Sequence, residues 1–155
     1  MKYAMLPLIL ALSLLSGCIL SVRGGFSPVQ GPLAQQAPIP TYNAIMTGAF
    51  SGTIKVTLAD GEVCKGSWSL FSTKSDANAP TPAPSALATE WDLVYGPGYY
   101  VAHVLGNRLY VRTTLNGNRG TTMDVELSNE NNKPGNTRGI ALDNHGDLFK
   151  VSVYN

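Results

Sequence analysis

From Thr47 onward the chain alternates apolar and polar residues with a period of two. In "GTIKVTLADGEVCKGSW", Ile54, Val56 and Leu58 alternate with Thr53, Lys55 and Thr57, the pattern of a strand with one buried face. Asp60-Gly61 follows, and Asp-Gly between two alternating runs signals a type I′ hairpin, whose central residues both take positive φ. The next run carries Val63 to Phe71, so residues 50–71 are predicted to form a hairpin. Six further strands are predicted in "EWDLVYG", "YYVAHVLG", "RLYVRTTLNG", "GTTMDVELSN", "TRGIALD" and "DLFKVSVY", which are separated by Gly-, Asn- and Pro-containing breaks.

Short connections make sequential neighbours pair antiparallel. The expected fold is therefore all-β: an eight-stranded antiparallel up-and-down meander closing into a small barrel or a rolled sandwich. The barrel is preferred because closure removes exposed edges. Alternation selects a core of Ile54, Val56, Leu58, Trp68, Leu70, Leu93, Val101, Leu109, Val111, Met123, Val125, Leu127, Ile140, Leu142, Phe149 and Val151. Burying each large apolar side chain contributes roughly 1.5–3 kcal/mol, enough to make independent folding of the domain plausible.

Two stretches break the rhythm. "STKSDANAPTPAPSALATE" predicts a long Pro/Ala-rich loop at 72–89. "ILSVRGGFSPVQGPLAQQAPIPTYNA", rich in Gly, Pro and Gln and without a period, predicts a flexible tether that reaches on the order of 30 Å as a coil. The β domain is then expected over residues 46–155 and the tether over 18–45.

Residues 1–17 have the parts of a secretory signal. Lys2 supplies a short positive region, Tyr3 to Leu15 an apolar stretch too short to span a bilayer, and Ser16 and Gly17 the small residues before a cleavage point. Leu15-Ser16-Gly17-Cys18 resembles the lipobox of bacterial lipoproteins. That resemblance implies that Cys18 is the first mature residue and the lipidation site, with a diacylglyceryl thioether and an acylated (palmitate-type) amino group. The residue after it is Ile19, not Asp, which by the same resemblance implies the outer membrane of a two-membraned cell, with the domain facing the periplasm. Two or three acyl chains make release from a bilayer negligible.

A lipidated Cys18 leaves Cys64 without a disulfide partner. Alternation puts Cys64 on the face of Gly66, Trp68 and Leu70, so it reads as a small buried hydrophobe. Charge is balanced at 11 Lys+Arg against 10 Asp+Glu, which leaves no positive field to gather nucleic acid.

Candidate chemistry is sparse. The two histidines, His103 and His145, lie in no metal-binding or nucleophile motif, and no catalytic residue, cofactor or metal site is predicted. His103 is expected to face inward or line a cavity, and His145 to sit in a turn. Asp124 and Glu126 share the outward face of one strand, are expected to be solvated and could pair with Arg112 or Arg119. "DNHGD", Asp143 to Asp147, reads as a plain turn. "GTIKVTLADGEVCKGSW" resembles a single membrane-occupation-and-recognition-nexus hairpin, and "GIALDNHGDLFKV" is similar to a blade motif of some bacterial β-propellers. Each occurs once, so shared hairpin chemistry is the expected cause.

Trp91, Tyr95, Tyr99, Tyr100 and Tyr110 are the candidate binding surface, either an exposed amphipathic patch or part of the core. The sequence thus predicts an outer-membrane-tethered lipoprotein that is a non-catalytic binding or assembly module for an envelope protein or glycan. The alternative is a small hydrophobic-ligand carrier or an inhibitor of wall hydrolases, and an enzyme comes third. An internal apolar cavity would favour the carrier, and a cleft joining His103 to a carboxylate would favour the enzyme.

Overall fold

A computed structural model of the chain describes residues 20–72, 84–105, 109–129 and 137–154. Its strands are β1 (Ser21–Gln30), β2 (Tyr42–Thr47), β3 (Ser51–Thr57), β4 (Val63–Ser69), β5 (Phe71–Ser72), β6 (Leu109–Gly117), β7 (Thr122–Asn129), β8 (Thr137–Asp143) and β9 (Leu148–Tyr154). Hydrogen-bonded neighbours follow the order β4, β3, β2, β1, β9, β8, β7, β6. β4 also pairs with β6, Cys64 opposite Gly117 and Lys65 opposite Asn116, which closes eight antiparallel strands into a barrel. The two-residue β5 adds a short ladder to β6 at the seam.

Closure brings the β4 and β6 backbones together at Gly66. A Cβ there would lie 2.4 Å from the Thr114 carbonyl oxygen and 2.9 Å from Leu115 Cδ2, so only glycine fits.

Alternation places the core as expected over much of the sheet. Ile54, Val56, Cys64, Trp68, Val111, Met123, Val125, Leu127, Phe149 and Val151 point into the barrel and are buried. Phe26, Tyr42 and Ala44 join them from β1 and β2, and Phe26 and Tyr42 each make edge contacts with Phe149 at 6.3 Å. A void inside the barrel, lined by Phe26, Met46, Ile54 and Leu127 among other described residues, is about 20 Å³. That is room for about one water molecule.

The expected tether over 18–45 is therefore corrected. Ser21–Gln30 and Tyr42–Thr47 are barrel strands, and β1 pairs with β2 on one side and β9 on the other. Gly24 and Gly25, which read as flexibility, sit where Ser152 O and Tyr154 Oη would each lie 2.9 Å from an added Cβ. Pro28 falls at a register shift, where a missing N–H is tolerated.

The strands expected in "EWDLVYG" and "YYVAHVLG" are corrected too. They form α1 (Ala88–Tyr95) and a π-helical segment (Tyr100–Val104). The count of eight barrel strands survives because β1 and β2 replace the two lost ones. Leu93 and Val101, expected in the core, are 61% and 67% exposed on these helices. Ile140 is buried and Leu142 partly so, but on the outer face of β8. The side chain of Leu109 and the loop residues 73–83 lie outside the described residues.

The Asp-Gly hairpin is present with a wider turn than type I′. Leu58 N–H donates to Glu62 O at 2.9 Å and Gly61 N–H to Leu58 O at 3.0 Å, with Gly61 at φ 82°. The same arrangement recurs twice at this end of the barrel. Gly117 N–H donates to Thr121 O and Asp143 N–H to Asp147 O, with Gly120 at φ 105° and Gly146 at φ 86°. In each, a positive-φ glycine before the returning strand re-aims that strand, the geometry of a turn followed by a glycine bulge.

Candidate functional site

Two assemblies gather the chain's polar and aromatic chemistry. The first lies on the outer wall, where residues 85–104 cover β7 and β8. Glu126 projects outward from β7 between the inward-facing Val125 and Leu127, yet it is 1% exposed. Its Oε1 accepts from Ser85 Oγ and from Arg112 Nε at 2.9 Å, and its Oε2 accepts from Trp91 Nε1 at 2.8 Å. A carboxylate removed from water needs such donors. The expectation that Glu126 is solvated is thus corrected, although its pairing with Arg112 is found. Asp124 accepts from Thr114 Oγ1 at 2.6 Å and stays exposed.

Around Glu126 the five candidate aromatics separate. Trp91 and Tyr100 are buried, at 0% and 6%, and belong with Leu87, Val104 and Ile140 to a second apolar cluster. Tyr100 Oη accepts from Ser85 N–H at 2.7 Å, which fixes the entry to α1. Tyr95 and Tyr99 are half-buried and stack on each other at 4.7 Å, Trp91 stacks on Tyr95 at 5.6 Å, and Tyr99 stacks on His103 at 4.5 Å.

Tyr95 Oη donates to Gly139 O at 3.0 Å, and Lys150 Nζ and Arg138 Cζ stand 5.4 and 5.8 Å from its ring centroid. Tyr110 lies against Arg112, whose Cζ is 5.6 Å from its ring. Burial, and then the neighbouring Glu126, push its phenol well above the ordinary range. Trp91 and Tyr100 therefore fasten the helical segments to the wall, while Tyr95, Tyr99 and Tyr110 remain partly exposed at its surface. His103, expected to face inward, is exposed on the outer helix instead.

The repeat of four from Trp91 through Tyr95 and Tyr99 to His103 is a helical stripe, and it was the available signal that this segment is not a pair of strands. Asp92 caps the break that follows Tyr95. Its carboxylate accepts from Tyr100 N at 2.9 Å and Gly98 N at 3.0 Å, which holds it below the usual carboxylate range.

The second assembly is the barrel mouth carrying the three repeated turns. A cavity of about 460 Å³ opens there, between those turns and the β1–β2 connection. Leu33, Gln36, Tyr42, Asp60, Glu62, Arg119, Thr121, Asp143, His145 and Asp147 line it.

The carboxylates at this mouth organise backbone. Glu62 accepts from Arg119 N at 2.8 Å, Thr121 N at 3.1 Å and Thr121 Oγ1 at 2.6 Å. The Thr121 hydroxyl above all, against the opposing effect of burial, holds Glu62 below its ordinary range. Asp147 Oδ1 accepts from Leu33 N at 2.7 Å and so ties the β1–β2 connection to the β8–β9 turn. Burial and the nearby Asp143 nevertheless push its carboxyl up. Asp143 Oδ1 accepts from His145 N and Asp147 N, both at 2.9 Å.

Asp60 and Arg119 form an exposed pair at the lip, 3.3 Å apart. His145 lies in its turn as expected, with Nδ1 3.8 Å from Asp143 Oδ2, so the histidine beside carboxylates in a cavity is His145 and not His103. Sequence reasoning missed this mouth. Its signal was the thrice-repeated Gly-polar step, Gly61-Glu62, Gly120-Thr121 and Gly146-Asp147.

Cys64 lies just below, fully buried and reduced. Burial first, then Glu62, Asp143 and Asp60, push its thiol up to about 11. Cys18 lies outside the described residues. Among the described residues, no three His, Cys, Asp or Glu side chains come together to hold a metal ion, and no helix is long and apolar enough to cross a membrane. Compared with known proteins, no family model, no curated protein and no solved structure matches this chain.

Proposed function

We propose that this chain is an outer-membrane lipoprotein, anchored through Cys18 and facing the periplasm, whose barrel is a non-catalytic binding or assembly module for an envelope protein or glycan. The observation that carries this reading is the contrast between a barrel interior filled by its own side chains and an open polar mouth of about 460 Å³. A hydrophobic-ligand carrier needs interior room, and the void described among the barrel's core residues, about 20 Å³, accommodates no such ligand. The outer wall, with Lys55, Lys65, Asp124 and Lys150 exposed, suits a barrel standing beside a bilayer rather than spanning one.

Recognition is assigned to the mouth, with Asp60, Arg119 and His145 at its accessible lip. The turn carboxylates give that surface an acidic character suited to a partner offering cationic or hydrogen-bond-donating groups.

Two measurements test the proposal. Mass spectrometry of the mature N-terminus should find Cys18 acylated, and an unmodified thiol there removes the anchor. A photo-crosslinking residue at His145 in intact cells should give an adduct of defined mass, whereas the same group at Lys55 on the wall should not. Adducts from Lys55 alone would move the recognition surface away from the mouth.

A further inference from the structure

The chain enters the barrel almost immediately after Cys18. Leu20 O accepts from Gly48 N at 2.9 Å, and Ser21 already pairs with Thr47. Only Ile19 separates Cys18 from the fixed Leu20, and two steps of at most about 3.8 Å each span that interval. The end of the barrel at which β1 starts is therefore held within about 8 Å of the Cys18 backbone.

Large apolar side chains stand in the open at that end, among them the most exposed described one, whereas at the opposite mouth Ile39 (58%) and Val29 (46%) share the surface with the turn carboxylates. Phe50, in the β2–β3 connection that Leu20 binds, is 78% exposed, and Leu20 is 57% exposed. The opposite mouth carries Asp60, Glu62, Asp143 and Asp147. β1 connects the two ends over ten residues, roughly 30 Å.

We infer that the rim formed by Leu20 and Phe50 rests in the bilayer interface, so that the barrel stands upright on the membrane with its acidic mouth pointing away. The inference rests on the anchoring reading above. Its occupant is a lipid surface because the anchor puts acyl chains closest to this rim, and because the described carboxylates of the mouth lie at the far end, away from anionic headgroups. An exposed phenylalanine gains from entering the acyl boundary, and its side chain carries no charge to desolvate. A short link and an apolar foot would thus replace free tumbling on a tether by a fixed orientation.

The test uses the full lipidated chain in vesicles of phosphatidylethanolamine and phosphatidylglycerol, with and without nitroxide-labelled acyl chains. Single cysteines at Phe50→Cys and His145→Cys take an environment-sensitive fluorophore, while the buried Cys64, its thiol pushed up to about 11, stays unlabelled in folded protein. The Phe50→Cys label should be strongly quenched by the nitroxide lipids and the His145→Cys label should not. Because the label itself alters the rim, Phe50→Asp with a fluorophore at Ala49→Cys provides a second reading, in which quenching at position 49 should fall severalfold relative to Ala49→Cys alone. Vesicle-bound protein with equal quenching at both ends, or with none at position 50, would overturn the docking while leaving the anchor intact. Protein that fails to partition into vesicles, with Cys18 unacylated, would overturn anchor and docking together.

Discussion

The apolar cluster inside the barrel and the one on its outer wall share β7 and β8, yet they are built by different rules. Inward, Met123, Val125 and Leu127 meet other apolar side chains and bring no polar group of their own to satisfy. Outward, the same strand presents Glu126, and the cluster closes over it only because Ser85, Trp91 and Arg112 donate to its carboxylate. The inner cluster follows from removing apolar surface from water, a force without direction. The outer one depends on directed hydrogen bonds, two of them delivered by Ser85 and Trp91 from 41 and 35 residues away in sequence.

Substitutions that break this contrast should differ in reach. The largest effect is expected inside. Trp68→Ala should cost about 3–5 kcal/mol and destabilise all strands together, as read by denaturant unfolding. Glu126→Ala should cost less, on the order of 1–3 kcal/mol, because it strands the Trp91 indole N–H and the Ser85 hydroxyl. Hydrogen exchange should then show protection lost over residues 88–104 while β3 and β7 keep theirs. Uniform loss would mean that the two clusters form one cooperative unit, which would end the distinction.

A smaller effect sharpens the comparison at the seam. Gly66→Ala pushes a methyl group into Thr114 O and should cost roughly 1–3 kcal/mol without touching the outer cluster, as checked by unchanged near-ultraviolet circular dichroism from Trp91.

Acid probes both regions at once. Glu62 in the mouth and Asp92 beside α1 are both held below the ordinary range. Their stabilising contribution is complete above the unfolded carboxylate range, near pH 4, and is lost as pH falls through their lower folded values. Asp147, pushed up, works in the opposite sense and offsets part of that loss. Thr121→Val should raise the Glu62 titration midpoint, followed by carboxyl NMR, and so weaken the acid dependence of the denaturation midpoint. The smallest perturbation is chemical: Cys64 should resist alkylation in native protein and react fully in denaturant, as read by mass.

The candidate site divides in the same way. Tyr95, Tyr99 and Tyr110 were identifiable as an aromatic group from composition alone, but their burial state depended on what lay beneath them. The mouth was invisible as a site because its parts come from four separate connections, each of which reads locally as an ordinary turn.

By itself the sequence determined the all-β class, the inward faces of β3, β4, β6, β7 and β9, and the buried state of Cys64, because alternation along a strand is a local property with a period of two. Only the tertiary structure decided the rest. Glycine-rich β1 became a strand because β2 and β9 supply partners on both sides and the β9 backbone approaches closely at Gly24. Residues 88–104 pack as helical segments on the outer wall because Glu126 collects donors from Ser85, Trp91 and Arg112 that no window of neighbouring residues contains. Long-range closure and the satisfaction of buried polar groups are properties of the assembled barrel, and a reading one segment at a time has no access to either.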